Sequence, residues 1–262
     1  MNLTDQRRAG YRPADADESV RGNRTWWDAE AAEYRAEHLG HLAGRLVWGP
    51  EGLDEAQAGL LGAVAGRSIL ELGAGAGDCT AWLRERGARG VATDLSAGML
   101  AMAPSAGLPR VQCDGRYLPF AADSFDLAFT SYGAIPFIGD PERLLAEVAR
   151  VLRPGGRWVF SITHPIRWSF PDDPGAGGLQ VTRSYFDRDP YVETGADGAV
   201  AYAEHHRTLG QRVRSLTEAG FRLLDLVEPE WPEDLDRPWG PWSPLRGRLI
   251  PGTAIFVCRL DG

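Results

Sequence analysis

Lysine is absent from all 262 residues, so the 28 basic side chains are all arginines. Any mechanism that depends on a lysine amine is thereby excluded. Cysteine is scarce: Cys79, Cys113 and Cys258 are odd in number and scattered without metal-ligand spacing, which predicts free thiols in a reducing cytoplasm. No long apolar run occurs. The charged beginning, "MNLTDQRRAGYRPADADESVRGNR", has no apolar segment and reads as neither a secretory signal nor a membrane span. Positive charge is in deficit, with a net charge of −8 and a pI near 5.2, which disfavours nonspecific binding to nucleic acid. Internal repeats and long low-complexity tracts are missing too.

What is present is a 44% apolar composition, enough for one large domain or one domain with an insertion. Residues 1–24 are polar and read as a mobile arm. Residues 25–60 open with "TWWDAEAAEYRAEHLGHL", a helical spacing with Thr25 placed as its N-cap. Over 61–164 strand-like and helix-like runs alternate: "RSILELG", "DCTAWLRERG", "RGVATDL", "SAGMLAMA", "PRVQCD", "SFDLAFTSY", "DPERLLAEVARVLRPGG", "RWVFSITH". That rhythm predicts an α/β fold whose parallel sheet is covered by helices on both faces. It breaks at 165–206, rich in Pro, Gly, Asp and aromatics, where "GLQVTRSYF" and "GAVAYAEHH" read as short strands around the turn "GADG". A break this long inside a compact domain reads as a substrate-binding insertion. Over 207–262 the pattern resumes with a helix, a strand, a Trp/Pro-rich loop and the last strand "GTAIFVCRL".

The chemistry begins at "ILELGAGAGDCT", where Gly73, Gly75 and Gly77 close an apolar strand and open a helix. Glycine permits a tight turn and close approach to the free N–H groups of the helix start. A dinucleotide, a nucleoside or plain packing would each explain it. Asp94 ends the next strand about 20 residues on, the separation expected of an acid on ribose hydroxyls; it would serve equally as a cap for "SAGML". Asp114 ends the third strand and can accept an exocyclic amine, or can be a turn residue before Gly115.

The ordered set "LELGAGAG", "TDLSAGML", "CDGRYLPFAADSFDLAFT" and "RVLRPGGRWVFS", over about residues 66–163, resembles the class I S-adenosylmethionine-dependent methyltransferases of the small-molecule, quinone-biosynthesis type. The resemblance implies a Rossmann-like seven-stranded sheet ordered 3-2-1-4-5-7-6 with its last strand antiparallel, and an N-terminal helical lid over 25–60. It implies S-adenosylmethionine as cofactor and S-adenosylhomocysteine as product. Gly73, Ala74, Gly75 and Gly77 would take the methionine end and Glu71 its ammonium. Asp94 would take the ribose, Leu95 and Met99 the adenine faces, and Asp114 with Gly115 the adenine edge. Thr130 and Tyr132 would lie beside the sulfonium. A nicotinamide enzyme would suit the glycine turn as well, but its short-chain form needs a tyrosine–lysine pair that cannot exist here.

Direct methyl displacement needs alignment, exclusion of water and, for a protonated nucleophile, a base. His164 at the end of the fifth strand and His205 and His206 at the end of the insertion are the candidate bases, each equally readable as a structural residue; His38 and His41 read as surface positions. Trp26, Trp27, Tyr34, Trp168 and Phe170 are the candidate substrate contacts, with Trp231, Trp239 and Trp242 in the last loop. Rings of this kind line a pocket for a flat or cationic acceptor or staple loops to the sheet. Trp158 reads as core. The expected activity is methylation of O, N or an electron-rich C of a small aromatic, even indole-type, acceptor in specialised metabolism. A non-catalytic S-adenosylmethionine sensor or partner protein, and a peptide or protein methyltransferase, are the alternatives. No metal, no nucleic acid and no membrane are expected, and the protein is expected as a cytoplasmic monomer or homodimer.

Overall fold

A computed structural model of the protein describes residues 8–42 and 44–262, the side chains at 41 and 42 excepted; His41 therefore lies outside the described side chains. Along the chain run β1 (Arg8–Tyr11), α1 (Ala16–Leu42), α2 (Glu55–Ala58), β2 (Ser68–Leu72), α3 (Asp78–Glu85), β3 (Arg89–Asp94), α4 (Ala97–Ala101), β4 (Arg110–Gln112), β5 (Phe125–Thr130), α5 (Pro141–Val151), β6 (Leu152–Thr163), β7 (Tyr191–Thr194), β8 (Val200–Glu204), α6 (Leu209–Glu218), β9 (Phe221–Val227), α7 (Pro244–Gly247) and β10 (Thr253–Leu260). The main sheet has the order β4-β3-β2-β5-β6-β10-β9, with β10 antiparallel to both neighbours. Counted within that sheet, this is the expected 3-2-1-4-5-7-6 arrangement.

Its strands bury both faces because apolar residues occupy successive positions, not alternate ones. Leu70, Ala128, Trp158, Phe160 and Phe256 join one cluster with Leu144, Leu145 and Val148 of α5 and Leu216 of α6. Ile69, Leu127, Phe129, Val159 and Ile255 turn the other way, onto Trp48, Leu61 and the α3 residues Trp82 and Leu83. Period-two geometry assigns neighbouring residues to opposite faces, and helices cover both. Caps set the helix starts: Ser96 accepts from Met99 N, Asp140 from Arg143 N ahead of Pro141, and Thr208 and Gln211 form a capping box.

Three expectations are corrected here. The described part of the 1–24 arm is ordered structure: β1 joins a second, three-stranded sheet of order β1-β7-β8, and α1 already begins at Ala16, where Asp15 accepts from the N–H groups of Asp17 and Glu18. Thr25 lies inside that helix, its hydroxyl donating to the Arg21 carbonyl, so it is no cap. "GLQVTRSYF" forms no strand; the insertion's hairpin is β7 and β8, turning through Gly195–Gly198 as anticipated. Asn23 ties this hairpin to α1, donating to the carbonyls of Phe137 and Ala203 and accepting from Ala203 N. Among the described residues no helix is long and apolar enough to cross a membrane.

Candidate active site

A cavity of about 530 Å³ lies at the tips of β2, β3, β4 and β5, beneath α1. That size is usual for small-molecule sites, and the carboxyl ends of the strands are where open α/β sheets bind ligands. At its floor Gly73 and Gly75 both have left-handed φ, +60° and +57°. A Cβ on Gly73 would stand 2.7 Å from the Ala134 Cβ, and one on Gly75 would stand 2.9 Å from the Met99 Cε. The turn therefore needs glycine at both positions, and its bare backbone faces the cavity. Gly77 instead packs against Leu108 and Ala92 where α3 starts, and does not line the cavity.

Two carboxylates frame the turn. Asp94 accepts from Gly75 N and Ser96 N, each at 2.8 Å, which fixes the β3 tip to the glycine turn. Burial outweighs these donors and pushes its carboxyl up to about 6. Glu71 accepts from the backbone N–H and hydroxyl of Thr80 at the start of α3. Burial, with Asp78 adding like charge, pushes it up to about 8. A buried acid that ionises reluctantly is suited to receive a cation. Asp114 also lines the cavity, but its carboxylate is gripped by Arg116 through the backbone N–H and the guanidinium, which also reaches Asp17 on α1 at 2.8 Å. Ala74, Leu95, Met99 and Gly115 complete this end.

Helix α1 closes the cavity and is pinned along its length. Asp28 accepts from the Ser96 hydroxyl at 2.6 Å and from Gly98 N at 2.8 Å, and Arg35 pairs with Asp78. Gly98 is required at that contact, because an added Cβ would meet the Asp28 carbonyl at 2.8 Å.

Away from the glycine turn the walls become aromatic. Trp27 packs edge-on against Trp26, Tyr34 and Phe137 at 4.7, 5.3 and 5.4 Å between ring centres, and Trp26 lies 4.9 Å from Tyr202. His38 is not a plain surface residue: it stacks on Tyr34 at 4.3 Å, meets Trp239 at 4.1 Å, and lines the cavity with Trp242. Tyr132 and Ala134 both hold left-handed φ, +53° and +49°, in the turn after β5, a strained geometry for side chains with a Cβ. Tyr132 N donates to the Ser161 hydroxyl, while its phenol accepts from Thr163 Oγ1. Arg167 and Glu204 supply the charge at this end.

Other expected contacts lie elsewhere. Thr130 is buried under the turn and does not line the cavity. None of the three candidate bases reaches it. His164 accepts from Ile166 N on Nδ1 and places Nε2 2.8 Å from Glu228, capping a 3-10 turn. His205 pairs with the Ser19 hydroxyl and His206 with the Tyr185 carbonyl; burial lowers both imidazoles to about 4. Trp168 stacks on His206 and Phe170 packs by Arg246, so both staple the insertion to its surroundings. Among the contacts not anticipated are Arg35, His38, Phe137, Arg167, Tyr202 and Glu204. Of these, the same-face spacing of Tyr202 and Glu204 in "AVAYAEHH" was the one signal available.

Comparison with known proteins agrees with this geometry. The methyltransferase-domain family model matches residues 70–160. A demethylmenaquinone methyltransferase of Mycolicibacterium paratuberculosis is 43% identical over 99 residues, which cover 38% of this chain and 43% of that protein. The matched stretch thus spans under half the length of that relative. A crystal structure of an S-adenosylmethionine-dependent methyltransferase from Mesorhizobium loti is 31% identical, covers 78% of this chain and 95% of its own, and superposes with a TM-score of 0.63. A Burkholderia thailandensis 1,6-didemethyltoxoflavin-N1-methyltransferase, solved with 1,6-didemethyltoxoflavin and S-adenosylhomocysteine bound, shares the fold at 19% identity, a TM-score of 0.60 and coverage of 98% of this chain and 97% of its own. With the cavity, its glycine turn and its framing carboxylates, these likenesses place the chain in the S-adenosylmethionine-dependent methyltransferase family.

Proposed function

We propose that the protein methylates O, N or an electron-rich C of a small, flat aromatic molecule, taking the methyl group from S-adenosylmethionine by direct displacement. The observation that carries this reading is the continuity of one lidded cavity, from a glycine turn framed by Glu71 and Asp94 to a wall of Trp26, Trp27, Phe137 and Tyr202. S-adenosylmethionine supplies an electrophilic methyl on sulfur. Glu71 holds the ammonium, and Asp94 takes the ribose diol on the lone pairs its two backbone donors leave free. Asp114, braced by Arg116, and Gly115 meet the adenine edge, with Leu95 and Met99 on its faces. Tyr132 stands at the β5 tip between the two ends. The aromatic walls orient the acceptor and exclude water, which is where the rate gain of such a displacement arises.

Pinning of α1 at both Asp28 and Arg35 favours a small acceptor over a polymer, which would need an open groove. An indole-type acceptor suits the tryptophan-rich wall, and three free thiols suit a cytoplasmic setting. Incubation with tritiated-methyl S-adenosylmethionine and the small-molecule fraction of a cell extract tests the reading. Label is expected in an extractable aromatic product. Label only in protein, or in nothing while S-adenosylhomocysteine still binds, overturns it.

A further inference from the structure

The inference rests on the methyl-transfer reading above and concerns the proton that an N–H or O–H acceptor must lose. With the three nominated histidines outside the cavity, the titratable side chains at its acceptor end are Tyr132, Arg167, Tyr202 and Glu204, with Tyr34, His38 and the solvent-exposed Glu37 on the lid. Burial raises all three phenols, which stay protonated near neutrality, and a guanidinium has no lone pair to offer. Glu204 is a carboxylate held in place. The Tyr202 hydroxyl donates to its Oε1, and Arg167 Nη1 stands 3.5 Å from its Oε2. Arg167 has a closer partner in Asp172, at 2.8 Å and outside the cavity wall. The guanidinium charge is shared, Glu204 drawing on it more strongly than Asp172, but the long 3.5 Å contact on Oε2 leaves that oxygen accepting capacity toward the cavity. Period-two geometry on β8 sends Tyr202 and Glu204 to one face, while the Ala203 backbone between them is locked to Asn23 of α1.

We propose that Glu204 is the catalytic base of the transfer and Tyr202 its positioning residue. The acceptor's N–H or O–H proton passes to Glu204. The heteroatom's electron pair forms the new bond to the methyl carbon, and the broken carbon–sulfur pair stays on sulfur. The products are methylated acceptor, S-adenosylhomocysteine and protonated Glu204, which returns its proton to water. The acceptor class that follows is a hydroxyarene or a ring N–H heteroarene. A carboxylate acceptor has no proton to give and would face like charge.

His38 is the rival base, since donation from Nδ1 to the Tyr34 carbonyl at 2.8 Å leaves Nε2 with a lone pair. Its ring contacts are confined to the lid and the last loop. The field of Glu204, with that of Arg167, reaches the Tyr132 phenol at the β5 tip. Tyr191 of β7 and, behind Tyr202, Glu193 also face this cluster, while the Asn23 and Trp26 side chains that α1 brings are neutral.

Labelling of the extract by Glu204→Gln, Tyr202→Phe and His38→Gln, with S-adenosylhomocysteine binding measured calorimetrically for each, is the test. Glu204→Gln is expected to lower kcat by about 10²–10⁴-fold, with S-adenosylhomocysteine affinity within about threefold of wild type. Tyr202→Phe removes a donor to the carboxylate and should move the acidic limb of the kcat profile to higher pH. Retention of more than a third of wild-type kcat by Glu204→Gln overturns the proposal. So does loss of the acidic limb in His38→Gln alone. Should Glu204→Gln fail to bind S-adenosylhomocysteine, Tyr202→Phe decides, an unmoved limb counting against the base. Absence of label with the wild type defeats the methyl-transfer reading itself, a result distinct from a failure of Glu204.

Discussion

The two ends of the cavity are built in different ways. The glycine-turn end comes from three consecutive strand–turn units, in which backbone N–H groups and buried acids lock to one another: Gly75 N on Asp94, Thr80 N on Glu71. The aromatic end comes from α1, the turn after β5, the β7–β8 hairpin and the last loop, segments as far apart along the chain as His38 and Trp239 that meet only in the folded chain. On the proposed reading, binding shared with a family resides in local geometry, and selection of the acceptor in long-range packing. The second end can change without disturbing the first.

The largest expected effect breaks the glycine-turn end alone. Asp94→Ala removes the acceptor for two backbone N–H groups and, on the proposed reading, for the ribose diol. Hydrogen bonds to a charged group are worth about 1.5–3 kcal/mol each, so S-adenosylhomocysteine affinity should fall about a hundredfold or more. Trp26→Ala, at the other end, should leave that affinity within about threefold. Isothermal calorimetry on both variants checks the asymmetry, and equal losses would erase the division drawn here.

That division also separates what was legible in the sequence from what was not. Gly73, Asp94 and Asp114 sit in turns defined by their neighbours, so strand endings and spacing located them, while the sheet order followed from the resemblance of the ordered motifs to a known family. His164 and His206 looked equally well placed, but the sequence does not say which way a residue at a strand end turns. Ile166 N and Glu228 draw His164 away, and Trp168 covers His206. Residues 16–24 looked too polar to pack, yet Ser19 and Asn23 are fully buried because His205 and Ala203 supply partners from the far end of the chain. Glu204 was missed for the same reason: its role depends on a hairpin paired with β1 and α1, a relation invisible to local pattern.

A smaller effect sharpens the boundary between lid and core. Asp28→Ala removes two hydrogen bonds that tie α1 to the start of α4. About 1–2 kcal/mol of closed-lid stability goes with them, and S-adenosylhomocysteine should bind about tenfold more weakly, mainly through faster release. Stopped-flow dissociation measures it; an unchanged off-rate would mean that Arg35 and Asn23 hold the lid unaided.

Protonation offers a comparable handle on the cofactor end. Glu71, pushed up to about 8 from its usual 4.5 by burial, is largely protonated in the free protein at pH 7. Its raised value favours the fold below pH 4.5, and this contribution is lost as pH rises toward 8. A bound ammonium favours the ionised form, so ligand binding should release close to one proton. Affinity for S-adenosylhomocysteine should then rise somewhat under tenfold between pH 6.5 and 7.5. Calorimetry in buffers of different ionisation enthalpy counts the proton directly. In Glu71→Gln both the release and the pH trend should vanish.

The smallest effect is expected at His164, and it separates scaffold from site. If this imidazole only caps a turn and meets Glu228, His164→Ala should leave the pH profile of kcat unchanged. The stability cost is about 1 kcal/mol, a fall in Tm of roughly 2–4 °C for a chain of this size. Burial lowers its folded value below 6.5 despite the pull of Glu228. The neutral ring therefore favours the fold above pH 6.5, and that advantage erodes as pH falls and the unfolded chain takes up the proton. The deficit of the variant should accordingly shrink between pH 7 and pH 5 in thermal melts. A deficit that grows on acidification, or a displaced limb in the kcat profile, would return His164 to the list of bases and weaken the case for Glu204.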